Sequence, residues 1–216
     1  MNDILFQLRR DLAASADPQT QKTFQRFFKE QVKYYGVKTP NVGKIAKNYW
    51  KQVKTLDKKN IFALCEALFR SDYTEEAFVV SFWLPNYVAN LEPEDLATFK
   101  VWIECYINNW AKCDGFCNHT IGDLIQKYPE SISEVKSWAK SKNRWLKRAA
   151  AASLIVPAKK GDFMQKPSKY VTSCWLMRMI WCRKVMGGCL KRKAESTKKK
   201  FSTTLLKTGG LCLEQL

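Results

Sequence analysis

The stretch IFALCEALFRSDYTEEAFVVSFWLPNY, residues 61–87, decides the fold class. Ile61, Leu64, Leu68 and Phe69 recur at three- and four-residue spacing, and so do Phe78, Phe82, Trp83 and Tyr87. That is the 3.6-residue period of a helix with one apolar face, and the alternation of a half-buried strand is missing. Thr74, followed by Glu75 and Glu76, falls between the two stripes and opens the second helix.

Working outward, the same period continues. Ile4, Leu5, Leu8 and Leu12 form a first stripe, Phe24, Phe27, Phe28 and Val32 a second, and Val42, Ile45, Tyr49 and Val53 a third. Asn41, after Pro40, is expected to cap the helix that follows. Pro93 fits a first helical turn, and Ser131 with Glu134 forms a capping-box pair just after Pro129. From residue 2 to about 156 the pattern predicts roughly eight or nine helices of about 10–16 residues, joined by short links. Helices joined this tightly are antiparallel neighbours. The expected fold is all-α. A bundle and a solenoid both satisfy the pattern, and pairs stacked as a HEAT-like array would present a concave surface to a long partner.

Composition narrows the class. In 216 residues, 46% are apolar and 13% aromatic, which excludes wholesale disorder. Lys and Arg number 37 against 20 acidic residues, a net charge of +17 that favours a polyanionic partner. No window approaches the roughly 18 uncharged apolar residues of a membrane span. The eight Cys follow no paired framework and read as reduced thiols, so the expected location is the cytoplasm.

The last fifty or so residues change character. Positions 165–216 hold twelve Lys or Arg against Glu195 and Glu214, contributing +10 of the +17. They also contain the clump Cys174-Trp175-Leu176-Met177, the pair Gly187-Gly188 and the run Lys198-Lys199-Lys200. A nucleic-acid arm and a poorly ordered tail both fit this composition. A third explanation fits better. Read one base earlier, residues 170–216 permit a string with helical stripes, balanced charge and a single Cys. Natural sequences are locally consistent, and the shifted frame is consistent where the printed one is not. Residues 1–163 are therefore expected to form the folded domain, and 164–216 an out-of-frame tail.

Three places carry candidate chemistry. In Asn108-Asn109-Trp110-Ala111-Lys112-Cys113-Asp114-Gly115, helical geometry puts Trp110 and Asp114 on one face. An indole beside a carboxylate suits a cation. Equally, Trp110 would anchor a helix junction while Asp114 caps a helix beginning at Gly115. In Asn143-Arg144-Trp145-Leu146-Lys147-Arg148-Ala149-Ala150, three cations crowd the first two turns of a helix. They oppose the positive end of the helix dipole, and a phosphate partner would explain them better. Cys113, Cys117 and His119 have metal-like letters without the two paired arms of a structural zinc site, and no metal or cofactor is expected.

Tyr35-Gly36-Val37-Lys38-Thr39-Pro40, Trp110-x3-Asp114 and Trp145-Leu146-Lys147-Arg148-Ala149-Ala150 together resemble the DNA alkylation repair family of AlkD-like, HEAT-repeat DNA glycosylases, from the first helices to about residue 163. The shifted frame also resembles the family's closing repeat, including a Lys-Gly-Tyr-Gly-Trp segment. In the printed chain Gly187 and Gly188 stand where that aromatic is expected. The resemblance implies hydrolysis of the N-glycosidic bond of 7-methylguanine and 3-methyladenine in double-stranded DNA by a monomer. It implies that Trp110 lies against the sugar, that Asp114 is the catalytic carboxylate, and that Arg148 sits near the lesion's backbone. Lys38, Lys112 and Lys147 are expected to join Arg148 in contacting DNA. A non-catalytic HEAT-like binder of DNA or RNA is the alternative.

Overall fold

The helices are set by local chemistry at their ends. A computed structural model describes residues 2–160. The basic segment, its frame and the boundary expected at residue 163 lie outside the described residues. The helices are α1 (Asn2–Ala14), α2 (Pro18–Phe24), α3 (Thr39–Val53), α4 (Lys58–Arg70), α5 (Thr74–Trp83), α6 (Asp95–Tyr106), α7 (Trp110–Phe116), α8 (Gly122–Lys127), α9 (Ile132–Trp138), α10 (Arg144–Ala152) and α11 (Ile155–Lys160). Asp17, Asp57, Asn109 and Asn143 cap α2, α4, α7 and α10, each accepting backbone N–H groups that the first turn leaves unpaired. Among the described residues the only strand-like pairing is an isolated bridge between Lys33 and Tyr73.

Four local expectations differ from the structure. The stripe from Phe24 to Val32 is not one helix: α2 stops at Phe24, one 3-10 turn covers Gln25–Phe27, and Phe28 is extended. Gln25 causes the reversal, donating to the Glu30 carbonyl at 2.8 Å and accepting from the Val32 N–H at 3.2 Å. Asn41 is inside α3 rather than capping it, because the helix already begins at Thr39 with Pro40 in its first turn. Pro93 stands in the turn before α6, where the Asp95 carboxylate accepts from the Glu92 N–H. Ser131 and Glu134 form no capping box: Ser131 is helical at φ −61, and Glu134 accepts from the Trp138 indole at 3.0 Å.

Packing places α1 on α3, α3 on α5, α5 on α7 and α7 on α10. These contacts make a continuous row, with α4 and α6 behind it and α9 against α10. The fold is all-α and fits a helical-repeat solenoid. Two features fix the row. The Trp83 indole of α5, fully buried, donates to the Ala46 carbonyl of α3 at 2.8 Å. Phe116 of α7 meets Phe69, Phe99 and Trp102 with ring centroids 5.3–6.2 Å apart, tying α7 to α4 and α6. Aromatic clusters of this kind bury large apolar areas and favour tilted ring contacts.

The motif Tyr35–Pro40 has a structural basis. The N–H groups of Tyr35, Gly36 and Val37 all donate to the buried Glu75 carboxylate at 2.8–3.1 Å. Gly36 stands at φ 87, a conformation that costs a residue with a Cβ and suits glycine. Tyr35 also donates to Glu76, which Arg9 grips from α1. The strap from 33 to 38 is thereby fixed to the start of α5, and it delivers Lys38 to the head of α3.

Candidate active site

Helix α7 carries the site, and its first turn is held from three sides. Asn109 caps it by accepting from the Lys112 N–H at 3.0 Å. Lys112 is 1% exposed, and its ammonium donates to the Asp72 carbonyl, the Asp72 carboxylate and Asn108 Oδ1. Asp72 turns the corner between α4 and α5 at φ 67, a left-handed conformation that Asp tolerates better than most residues. Gly115 presses against α5, where a Cβ would stand 3.2 Å from Ser81 Oγ.

Lys112 therefore does not present its charge to a DNA surface. The ammonium is buried and already holds three oxygens, so the expectation of a phosphate contact is replaced by a clamp that positions α7. Burial pushes its pKa below the ordinary lysine value, against the pull of Asp72.

One turn after Trp110, Asp114 faces α10. Arg148 donates from Nε to Oδ1 at 2.7 Å and from Nη2 to Oδ2 at 2.6 Å, a bidentate pair whose side chains are 18% and 24% exposed. Burial alone would lower the Arg148 pKa, yet the hydrogen bonds and charge of Asp114 carry it above the ordinary value. No helix begins at Gly115, since α7 runs through a π turn at Cys117–Ile121 into α8. Asn109 caps the start of α7 at Trp110, and Asp114, inside that helix, pairs with Arg148 on α10.

Trp110 points elsewhere. Its indole N–H donates to the Phe27 carbonyl at 3.1 Å, and its ring stacks on Phe28 at 5.7 Å and 25°, with 41% of the residue exposed. It lines a cavity of about 510 Å³ together with Lys38. Lys38 also pairs with Asp17 at 3.3 Å. The structure thus joins Asp114 to Arg148, and Trp110 to Lys38, with α7 linking the two groups. Lys147 lies exposed on α10, next to Arg148 in the chain.

The thiols behind the site are buried. Cys113 donates to the Trp145 carbonyl, and burial followed by the neighbouring Cys113 raises the Cys117 pKa, which keeps that thiol protonated. His119 is exposed beside Asp123, and among the described residues no three His, Cys, Asp or Glu side chains come together as a metal site. No helix among the described residues is long and apolar enough to cross a membrane.

Asn109, Asp72 and Phe28 are the positioning residues that sequence reasoning missed. Only Asn109, an Asn three residues before the buried Lys112 N–H, carries a sequence signal, that of an N-cap.

A row of helices, a carboxylate fixed by a guanidinium on two of them, and a half-exposed indole one turn away define a helical-repeat protein with a built ionic site. The model of a known family, the DNA alkylation repair enzymes, matches residues 8–199, and the chain belongs to that family. The match passes residue 163, where the resemblance in the sequence stops. No curated protein matches the chain. The family places it among the enzymes of DNA repair.

Proposed function

We propose that the protein is an AlkD-like DNA glycosylase that hydrolyses the N-glycosidic bond of alkylated purines, chiefly 7-methylguanine and 3-methyladenine, in double-stranded DNA. The observation that carries this is the bidentate Asp114–Arg148 pair on α7 and α10, one turn from Trp110. A purine alkylated at N7 or N3 is already cationic. When its C1′–N bond breaks, the bonding pair returns to the base, which leaves neutral and needs no general acid. Positive charge then develops on the sugar. A carboxylate aimed at it stabilises the oxocarbenium-like state and orients the water whose oxygen bonds to C1′. Water's proton passes to the carboxylate or to solvent.

Arg148 serves this chemistry by fixing the carboxylate in direction through two hydrogen bonds. It also places a cation where a DNA phosphate approaches, with Lys147 beside it. Trp110 offers an apolar ring to the deoxyribose. No cofactor or metal enters this scheme. The enzyme acts as a monomer in the cytoplasm.

A non-catalytic DNA binder of the same family would keep the cations and dispense with the carboxylate. Incubating the full chain with alkylated duplex DNA separates the two. Release of free 7-methylguanine is expected, and binding without release would contradict the glycosylase reading.

A further inference from the structure

Cys113, Cys117, Ile121 and Ile125 recur at a spacing of four, and all are buried. In a plain α-helix each such step drifts by about 40°, so the row would turn out of the core within three steps. The π turn at Cys117–Ile121 takes up the drift, because it spreads one turn over more residues. The neighbouring row is straightened with it. Trp110, Asp114 and Asn118 also stand four apart, and all three keep some exposure. The π turn therefore brings Asn118 into line with the site, one turn beyond Asp114. Asn118 Oδ1 is buried and accepts no hydrogen bond among the described residues, and Thr120 Oγ1 in the same turn is unpaired as well. Turning an unpaired oxygen inward costs stability, so folding does not explain this asparagine. With Oδ1 buried, the end of the amide left at the surface is its NH2 group, a donor. Asn109 and Asn143, by contrast, use their oxygens to cap helices.

We propose that Asn118 is a further DNA-contacting residue of this site, donating from its amide to a phosphate oxygen of the strand whose sugar meets Asp114. The inference rests on the duplex-binding part of the reading given above. One step of the row is about 6 Å along the helix axis, so Asn118 lies one step past the deoxyribose, on the side away from Trp110. The strand offers its backbone there, and a phosphate oxygen accepts what the amide donates. Contacts of this kind fix the register of a duplex without reading its sequence. The contact thus sets the scissile bond over Asp114 in every base context. A neutral donor suits the position: a lysine four residues after Asp114 would pair with its carboxylate and compete with Arg148.

The test uses the full chain and duplexes carrying one 7-methylguanine, with a neutral methylphosphonate replacing one flanking phosphate at a time. Binding is read before base release, and release is then followed on the same duplexes. On the unmodified duplex Asn118→Ala is expected to weaken binding roughly tenfold, the loss of one hydrogen bond to a charged group. In the parent chain, neutralising one flanking linkage should cause a similar loss. At that linkage Asn118→Ala should lose nothing further, while at the others the two losses multiply. Asn118→Asp keeps the shape and adds a like charge. It should bind the unmodified duplex more weakly than Asn118→Ala, and the excess should vanish on the neutral linkage. The melting temperature of Asn118→Ala should not fall, because no internal hydrogen bond is removed. Losses that multiply at every linkage, with 7-methylguanine still released by the parent, would overturn this inference alone. A lower melting temperature with unchanged binding would make Asn118 structural and overturn it too. If the coupling appears without any base release, this inference stands and the glycosylase reading fails. If the parent chain neither binds nor releases, both fall.

Discussion

At Lys112 a buried ammonium meets three oxygens drawn from the α4–α5 corner and from the residues just before α7. Nothing in the letters Trp-Ala-Lys-Cys-Asp shows that this lysine turns inward, because charge is visible in a sequence and burial is not. The distinction is testable. Lys112→Met keeps the side chain's apolar stem and removes its charge, and is expected to lower unfolding stability by about 2–3 kcal/mol, since breaking one half of a buried pair costs most where the remaining partner cannot rehydrate. Asp72 is 48% exposed and regains water, which keeps the loss at the lower end. The salt dependence of DNA binding should be the same as in the parent chain. A slope lower by about one unit would instead show a phosphate contact. Asp114 was legible as a residue of interest only through its spacing from Trp110. Its partner stands 34 residues away, a distance at which single-sequence patterns carry no pairing signal.

Among the elements, the apolar stripes located most of the helices, since a 3.6-residue period has few other origins. They failed at Phe24–Val32, where the rings pack on Tyr34 and Trp110 rather than along one helix face. Spacing alone cannot distinguish those two uses of phenylalanine. The contact between α8 and the end of α10 was equally hidden. A Cβ on Gly122 would stand 2.9 Å from the Ser153 carbonyl and 3.4 Å from Pro157. Neither neighbour is the end of a flexible side chain, so the helices must separate. Gly122→Ala is expected to destabilise the protein by about 1–3 kcal/mol, despite the helix propensity gained by alanine. A lower denaturation midpoint with an unchanged slope would confirm it. Because α10 carries Arg148, the same change should also weaken the hold on Asp114.

For the molecule as a whole, charge decides the partner. The +17 divides into +7 over the first 164 residues and +10 over the rest, so the helical part alone already favours a polyanion. Binding to duplex DNA should weaken steeply with salt, and Arg148→Ala should lower that slope by about one unit across all sequences. An unchanged slope would leave Arg148 with Asp114 as its only task. We also propose that residues from about 165 are read out of frame, because the shifted frame continues the helical stripes, although the family match runs on in the printed frame to residue 199. Sequencing the gene decides this, and an unbroken frame shared by close relatives would reject it.

Single-turnover release of 7-methylguanine by Asp114→Asn, measured beside duplex binding on the full chain and on a frame-restored version, tests the proposed chemistry most directly. The amide keeps the shape of the carboxylate and cannot offset charge developing on the sugar. Losing such an aimed contact costs about 3–4 kcal/mol in the barrier, so release should slow by roughly a hundredfold to a thousandfold while binding holds. If Asp114→Asn lowers the melting temperature and leaves the release rate unchanged, Asp114 is a structural partner of Arg148 and the catalytic assignment is wrong.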